Sequence, residues 1–321
     1  MKKLPLLSLI LLFACNQPAK QESKTQPAQP ELSKTNPAPI ALEGGNKIVL
    51  LTDFYTDYIN AVKTDFKDKD SLYKVKISWP IYNKYFANGE YASLAQMNYY
   101  MPIMDTAGLA ARVADLNSKK EDLVKLVTAT LAACNKYLRN DSITVYIEPT
   151  SGNNKKISDK MNGITAVTTG SKLILLSIDP SVSSWTTMLP YTLSHEFNHA
   201  YWTVHNLKNT AKFTMLTYLV FEGRADSYAH FVNPTIDCPW ANILTDKEKV
   251  EWWAKIKPQL QSEDSQFQRQ VMFGSGGYPL WTGYCLGYNI VQSALKNNPK
   301  LTPEEWTNMD PQKILEMSDY K

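Results

Sequence analysis

Hydrophobic positions along the chain follow two different periods, and the changes between them divide the sequence into elements. Between residues 54 and 137 the spacing is mostly that of helices. The clearest helix begins at Ser118 and Glu121, which have the spacing of a capping box. Its hydrophobic stripe is predicted to lie in the core, and it consists of Leu123, Leu126, Val127, Leu131 and Cys134.

Strand patterns precede and follow this helical stretch. Short hydrophobic or alternating runs predict strands at 48–51, 143–147, 164–168 and 173–178. The last two flank residues 170–171 (GS), which indicates a hairpin. After residue 180 the pattern is helical again, and Thr302, Pro303 and Glu305 predict a second capping box. Helices, then a small sheet, then helices indicate an α+β fold.

The first fifteen residues have the pattern of an export signal. Two lysines precede a hydrophobic stretch from Leu4 to Ala14, which is too short to cross a bilayer. The four residues ending at Cys15 (LFAC) resemble the lipobox of bacterial lipoproteins, in which the cysteine is acylated. We therefore expect a signal peptide over residues 1–14 and a lipid on Cys15. An ordinary signal peptide with an incidental cysteine is the alternative.

Residues 15–45 have the composition of a tether. They contain several prolines among polar residues and few large hydrophobic ones, so they are predicted to be disordered. About 30 residues of flexible chain reach roughly 30 Å, which would hold the folded part close to a membrane. The expected partner is the lipid bilayer, and the expected location is a bacterial cell envelope, at the outer membrane or cell surface. One domain is predicted over 46–321, with an N-terminal part (46–205) and a helical part (206–321).

Composition excludes several classes of protein. The 321 residues are 44% hydrophobic and 20% charged, so the chain is not disordered as a whole. A formal net charge of +3 argues against nucleic acid as a partner. Four cysteines are too few for a disulfide scaffold. No hydrophobic run in the sequence reaches the ~18 residues of a membrane span.

The histidines carry the candidate chemistry, because all four lie between residues 195 and 230. His195, Glu196 and His199 form an HExxH motif. On a helix, residues four apart share a face, so both imidazoles can bind one Zn²⁺ ion. Glu196 is adjacent to the first ligand and is placed to act as general base on a water molecule.

A catalytic zinc ion needs a third protein ligand, for which two residues compete. Glu222 lies on a predicted helix at about 210–231, and a carboxylate within a hydrophobic stretch is expected to meet a cation. Asp226, four residues later, could accept the second N–H of a ligand histidine. His205 has the spacing of the third ligand in HExxHxxGxxH, but Trp202 occupies the glycine position, so Glu222 is favoured. His205 and His230 are interpreted as surface or helix-end residues.

Three segments together resemble a bacterial family of predicted zinc-dependent proteases. They are 194–200 (SHEFNHA), 221–226 (FEGRAD) and 283–291 (GYCLGYNIV), similar to the family's HE[YF]NH helix, EGLAE-type glutamate and GYxxGYxIV segment. The resemblance covers roughly residues 140–295 and extends to gluzincins. It implies a zincin-like fold, in which a small sheet packs on the HExxH helix and the C-terminal part is mainly helical. It also implies one zinc ion held by His195, His199 and Glu222, with Glu196 as the catalytic glutamate.

Two further pairs of residues have two interpretations each. Tyr284 and Tyr288 are four apart on a predicted helix, and either hydroxyl could donate to the oxyanion of a tetrahedral intermediate. Packing in the core is the simpler role for both. Cys238 and Cys285 could pair in an oxidising compartment and leave Cys134 single, or all three could be buried free thiols.

These features predict a membrane-anchored zinc-dependent hydrolase. A peptidase that uses a zinc-activated water, with a peptide or protein as substrate, is favoured by the family resemblance. One alternative is a non-catalytic surface lipoprotein that binds a partner. Another is a zinc amidase acting on cell-wall peptides or glycopeptides.

Overall fold

The computed structural model describes residues 31–210 and 212–321, and a mixed sheet of five strands lies at its centre. The strands are β1 (Ile40–Ala41), β2 (Lys47–Leu50), β3 (Thr144–Pro149), β4 (Ile164–Gly170) and β5 (Leu173–Ile178). Their order across the sheet is β1-β2-β3-β5-β4. β2, β3 and β5 are parallel, whereas β1 and β4 pair antiparallel with their neighbours and form the two edges.

Both faces of the sheet are covered by helices, which explains why the central strands are almost continuously hydrophobic. Val145 and Ile147 of β3 lie in one hydrophobic core, and Tyr146 between them lies in a second one. Leu175 of β5 shares the second core with Tyr146. Alternate residues of one strand therefore serve two separate helical layers.

Helices from the first third of the chain form one layer. They are α1 (Thr52–Thr64), α2 (Lys69–Tyr73), α3 (Trp79–Ile81), α4 (Ala92–Asn98) and α5 (Thr106–Ser118). Phe54, Ile77, Phe86 and Leu109 pack with Tyr146 in what we call the N-terminal core.

The remaining helices form the second layer, except for α7 (Lys155–Lys160), which connects β3 to β4. They are α6 (Lys120–Asn135), α8 (Trp185–Asn206), α9 (Met215–Val232), α10 (Asp246–Ile256), α11 (Ser265–Phe273), α12 (Thr282–Asn297), α13 (Pro303–Asn308) and α14 (Pro311–Met317). α8 packs against β4 and β5, and also against α6 and α9. The α+β class and the mainly helical C-terminal part are thus confirmed.

Two glycines allow α9 and α12 to pack closely. A Cβ atom on Gly223 would overlap the carbonyl oxygen of Gly287, and one on Gly287 would overlap the carbonyl oxygen of Leu219. Only residues without a side chain let two helix backbones approach to this distance. Gly223 follows Glu222 directly, so this contact positions the metal-ligand candidate on α9.

Of the two predicted capping boxes, one is present in the structure and one is not. The hairpin of β4 and β5 and the capping box of Thr302 and Glu305 are confirmed. The capping box predicted at Ser118 is wrong, because Ser118 is the last residue of α5 and its hydroxyl donates to the carbonyl oxygen of Asp115. In the predicted stripe of α6 four residues are buried, and Leu126 is partly buried at the edge of the core.

The folded unit begins earlier than the sequence indicates. It extends from Glu31 to Lys321, so the predicted boundary at residue 46 moves towards the N-terminus. The N–H of Ser33 donates to the carbonyl oxygen of Val75, and Ile40 of β1 pairs with Ile48 of β2. The predicted signal peptide, Cys15 and the tether as far as residue 30 lie outside the described residues. No helix among the described residues has the length and hydrophobicity required to cross a membrane.

Cys134, Cys238 and Cys285 are buried free thiols, so the pairing of Cys238 with Cys285 does not occur. Burial raises the pKa of Cys134 to about 12 and also raises that of Cys285. The alternative interpretation of three free thiols is the correct one.

Replacing Gly287 by alanine should separate α12 from α9, because the added methyl group has no space. We expect the free energy of unfolding to fall by about 1–3 kcal/mol, measured by urea denaturation of the full chain. Lys296→Ala, at an exposed position of the same helix, should change it by less than about 0.5 kcal/mol. Equal losses in both variants would mean that the helix contact does not depend on glycine.

Candidate metal centre

The two histidines of the HExxH motif lie side by side on α8. His195 and His199 are one helical turn apart and buried, and their Nε2 atoms are 3.0 Å apart. Leu193, Phe197 and Ala200 are fully buried in the hydrophobic core. The helix is thus held by its apolar residues, while the two imidazoles turn towards α9.

Glu222 reaches the same point from α9. Thr214 caps this helix by accepting a hydrogen bond from the backbone N–H of Thr217. The Oε2 atom of Glu222 lies 3.3 Å from Nε2 of His195 and 3.3 Å from Nε2 of His199. The three residues predicted as metal ligands are therefore brought together and form a candidate metal site.

The size of this triangle fits a zinc ion. Zinc binds histidine nitrogen and carboxylate oxygen at about 2.0–2.1 Å in tetrahedral geometry, which places neighbouring ligand atoms about 3.3–3.4 Å apart. The three ligand atoms here are separated by 3.0, 3.3 and 3.3 Å. Among the described residues this group offers three ligand atoms, so a fourth position would be open to water or substrate.

The charges around the triangle also fit a cation. Glu196, Glu222 and Asp226 are all buried, and within the described ranges none of them forms an ion pair with lysine or arginine. Buried carboxylates are unfavourable unless they are paired or bind a metal. The two imidazoles alone do not balance the negative charge of these three carboxylates, whereas an added divalent cation would.

Asp226 orients the first histidine. It is fully buried, and its Oδ1 atom accepts a hydrogen bond of 2.8 Å from Nδ1 of His195. Tyr191 donates to the same oxygen at 3.1 Å, and the indole N–H of Trp240 donates to Oδ2 at 2.6 Å. The bond to Nδ1 leaves the lone pair of a neutral His195 on Nε2, which is the atom that faces Glu222.

Electrostatics within the cluster favour positive charge next to Glu222. Burial opposes a charged His195, but Asp226, with help from Glu222 and Glu196, raises the pKa of His195 well above its usual value. Burial would raise the pKa of Glu222, but the two imidazoles outweigh it and lower this pKa to about 2. Glu222 is therefore ionised, as a metal ligand must be.

His199 is held by stacking. Its ring lies on Phe221 with a centroid separation of 4.0 Å and an angle of 17° between the rings, and its Nδ1 atom has no hydrogen-bond partner among the described residues. Trp202 packs edge-on against Phe221 at 4.9 Å. Trp202, which replaces the glycine of HExxHxxGxxH, thus packs against the Phe221 ring on which His199 stacks.

Glu196 lies beside the ligand triangle without belonging to it. Thr168 of the edge strand β4 has its hydroxyl oxygen 2.7 Å from Oε2 of Glu196 and 2.8 Å from the Glu196 carbonyl oxygen. The hydroxyl can donate to either of these acceptors. A strand residue therefore holds the carboxylate that the motif predicts to be the general base.

The other two histidines lie away from the triangle. α8 continues through Trp202 to Asn206, so His205 is exposed on its last turn, with its ring 4.3 Å from that of Tyr201. His230 is half-buried near the end of α9. Neither is a ligand candidate, as predicted.

The two tyrosines of α12 have different surroundings. Tyr284 lines both cavities that meet at His195 and Glu196. Burial raises the pKa of Tyr284 well above its usual value, with a further contribution from Glu222, so its hydroxyl stays protonated. Tyr288 lines neither cavity, and its ring packs edge-on to His230.

Two cavities have Glu196 in their lining. The first has a volume of 390 Å³, and we call it the tryptophan-lined cavity after Trp240 and Trp281. The second has a volume of 500 Å³, and we call it the phenylalanine-lined cavity after Phe213 and Phe221. They share Ala166, His195, Glu196, Phe273 and Tyr284. Together they form a mostly apolar cleft across the metal site.

Sequence patterns do not reveal several residues that support the site. Tyr191, Trp240 and Thr168 reach it through tertiary structure, and their types are common in cores, whereas Phe221 lies in the 221–226 segment without a predicted role. Trp240 is the hardest of these to predict from sequence, because it lies in the loop after α9 and has no fixed spacing from the motif.

Replacing Asp226 by asparagine should weaken zinc binding, since the side chain loses its charge and gains an NH2 donor in place of one of the two oxygens that face His195 and Trp240. We expect the dissociation constant for zinc to rise about 10–100-fold, measured by competition with a chromophoric chelator. The matched control is Glu316→Gln, which changes an exposed carboxylate. Unchanged zinc affinity in a folded Asp226→Asn protein would contradict this role.

Comparison with known proteins agrees with the site. Residues 123–316 match the family described as "Predicted Zn-dependent protease (DUF2268)", and this match includes α8, α9 and α12. No curated protein matches the chain, and no solved structure does. The match spans more than half of the 321 residues and confirms the resemblance seen in the three sequence segments. The chain therefore belongs to the DUF2268 family of predicted zinc-dependent proteases.

Proposed function

We propose that this chain is a zinc-dependent peptidase of the gluzincin type, with one zinc ion held by His195, His199 and Glu222. The observation that carries the proposal is the triangle of ligand atoms with Glu196 beside it, at the meeting point of two cavities. An HExxH helix packed against the edge strand of a mixed sheet supports the zincin-like fold that the resemblance implies.

In this proposal the side chains divide the work of hydrolysis. When bound, zinc supplies a Lewis acid, which polarises a carbonyl group and makes water a stronger acid. Glu196 accepts a proton from the attacking water and later passes it to the leaving amine. Thr168 holds the Glu196 carboxylate at one oxygen, and Asp226 holds His195 in the tautomer that a metal requires.

Tyr284 is the better candidate of the two tyrosines for stabilising the oxyanion. Its hydroxyl is protonated, and it lines both cavities that contain Glu196. A neutral hydroxyl in an apolar cleft is a hydrogen-bond donor that can face a developing negative charge. We assign Tyr288 to packing, because it lies outside both cavities.

The number of ligands favours an enzyme over a lipoprotein in which zinc only joins helices. Structural zinc sites use four protein ligands, whereas catalytic sites use three and leave one position open. The described residues provide three. The lining of the tryptophan-lined cavity, which includes Met161, Met188 and Leu280, favours peptides with large apolar side chains over glycopeptides.

Replacing Glu196 by glutamine should abolish hydrolysis and keep the metal. We expect kcat/KM on a peptide library to fall by about 10²–10⁴-fold, since the general base is lost and the ligands remain. Zinc content, measured by atomic emission, should stay at one ion per chain. Glu316→Gln, an exposed change of the same type, should leave the activity unchanged.

The outcome distinguishes the three candidate functions. Hydrolysis of apolar peptides by the unaltered chain, lost in Glu196→Gln, supports the peptidase. Hydrolysis confined to peptidoglycan fragments, assayed side by side, would replace it with the amidase. Zinc binding without hydrolysis of either would favour the non-catalytic lipoprotein.

We also propose that the protein acts at the bacterial cell envelope, anchored through an acylated Cys15. Cys15→Ala should abolish labelling with radioactive palmitate and move the protein from the membrane fraction to the soluble fraction. Cys134→Ala, a change at a buried cysteine, should keep both the label and the membrane location. Labelled, membrane-bound Cys15→Ala protein would disprove the anchor.

A further inference from the structure

A buried carboxylate outside the metal-ligand cluster, that of Glu148, lies close to the proposed active site. Glu148 is near the end of β3, on the sheet face that carries the N-terminal core, and only 2% of its surface is exposed. Tyr55 and Tyr99 each donate a hydrogen bond of 2.7 Å to its Oε2 atom. Asn98 and Ser177 donate to its Oε1 atom at 2.7 and 2.9 Å.

All four donors are neutral, so the charge of Glu148 is left uncompensated. Within residues 31–210 and 212–321 no lysine, arginine or histidine forms an ion pair with this carboxylate. Buried glutamates are rare unless they are paired. Burial raises the pKa of Glu148, and the hydrogen bonds from its neighbours oppose that shift only in part. A cationic ligand would supply the missing charge.

Glu148 lines a cavity of 170 Å³, which we call the Glu148 pocket. Its lining is rich in hydroxyl groups, which come from Tyr55, Tyr73, Tyr99, Thr150, Ser151, Ser158, Thr165 and Ser177. Asn98 is exposed and also lines the cavity, so solvent reaches one side of it. The volume is that of about five or six water molecules, enough for the head of a lysine or arginine side chain.

The free hydrogen-bonding capacity of this pocket is mainly that of acceptors. Each hydroxyl that donates to Glu148 keeps lone pairs for a further donor. Ser158 is 7% exposed, and neither its Oγ atom nor Oγ1 of Thr150 has a partner among the described residues. Ammonium and guanidinium groups only donate, with three and five N–H bonds respectively. They match the pocket in both charge and hydrogen bonding.

The pocket adjoins the cleft at the metal site. It shares Ile157 and Thr165 with the tryptophan-lined cavity, which contains Glu196. Thr165 and Thr168 are three residues apart on the edge strand β4, so they face opposite sides of the sheet. Thr165 pairs with Ser177, which contacts Glu148, and Thr168 contacts Glu196. Three residues of a strand span about 10 Å. A peptide extended along this edge strand would present alternate side chains to the two faces, so a residue two or three positions from the cleaved bond could enter the pocket.

We propose that the Glu148 pocket binds an ammonium or guanidinium group of the substrate, two or three residues from the bond that is cleaved. The group could be the free amino terminus of a peptide or the side chain of lysine or arginine. That the ligand belongs to a peptide substrate rests on the proposed function. The affinity of the pocket for such a cation does not.

The cation site is tested first, without hydrolysis. The zinc-loaded full chain is titrated with n-butylammonium and with n-butylguanidinium at constant ionic strength, and Tm is measured. Both probes should raise Tm with saturation, because they bind the folded state only. Tetramethylammonium carries the same charge without N–H donors and should have no saturable effect. An equal response to tetramethylammonium, or no response to the two donor cations, would overturn the proposal.

Two variants locate the effect. Glu148→Gln keeps the shape of the side chain and removes its charge, so the dissociation constant of both probes should rise about tenfold or more. Ser158→Ala removes an acceptor that has no protein partner, so it should weaken binding and leave the fold intact even if Glu148→Gln does not fold. Unchanged probe binding in Ser158→Ala and in a folded Glu148→Gln protein would exclude this pocket.

Peptide binding then separates the two sources of the cation. Glu196→Gln protein is used, so that affinity is measured by calorimetry whether or not the wild type is an active peptidase. Acetylation of the peptide should raise the dissociation constant about tenfold if the pocket holds the amino terminus. Replacement of lysine by norleucine should do so if it holds a side chain. If neither change matters while butylammonium still binds, the assignment to substrate is wrong.

Discussion

Excess negative charge, buried between α8 and α9, is the constraint on which the site depends. Glu196, Glu222 and Asp226 surround two imidazoles, and three ligand atoms face one another within 3.3 Å. Atoms that all carry lone pairs repel unless a cation lies between them. Binding of a metal ion here would therefore be linked to the packing of these helices, and part of its binding free energy would contribute to folding.

Two buried carboxylates, Glu222 on α9 and Glu148 on β3, are stabilised in different ways. Glu222 is stabilised by the imidazoles and by the ion that they would share, whereas Glu148 is stabilised by four neutral donors. The first arrangement lowers the pKa of the carboxyl group, and the second leaves it raised. The contrast follows from the neighbours of each carboxylate, which are two imidazoles for Glu222 and only neutral donors for Glu148.

The sequence predicted the parts of the site that follow from helix periodicity. Four-residue spacing relates His195 to His199 on α8 and Glu222 to Asp226 on α9. Each pair therefore shares one helix face, and the meeting of the two pairs could be predicted. Contacts made across the fold could not, and the role of Trp240 depends on how a loop returns to α9.

Elements of the fold were likewise predictable where their signal is local in the sequence, and not where they depend on tertiary pairing. The hairpin has a local signal in its turn, whereas β1 is a two-residue edge strand inside a stretch with the composition of a tether. Its pairing with β2 stabilises what composition alone predicts to be disordered. The cap predicted at Ser118 failed for a related reason, because α5 and α6 follow each other almost without a break and leave no room for a separate cap.

The buried thiols have a consequence for where the protein can be made. Since Cys134, Cys238 and Cys285 are unpaired and shielded, the native structure of the described region contains no bond that needs an oxidant to form. Thiols whose pKa is raised by burial are also poor nucleophiles for exchange with glutathione or other disulfides. The folded unit should therefore reach the same covalent state in a reducing cytoplasm as in an oxidising envelope.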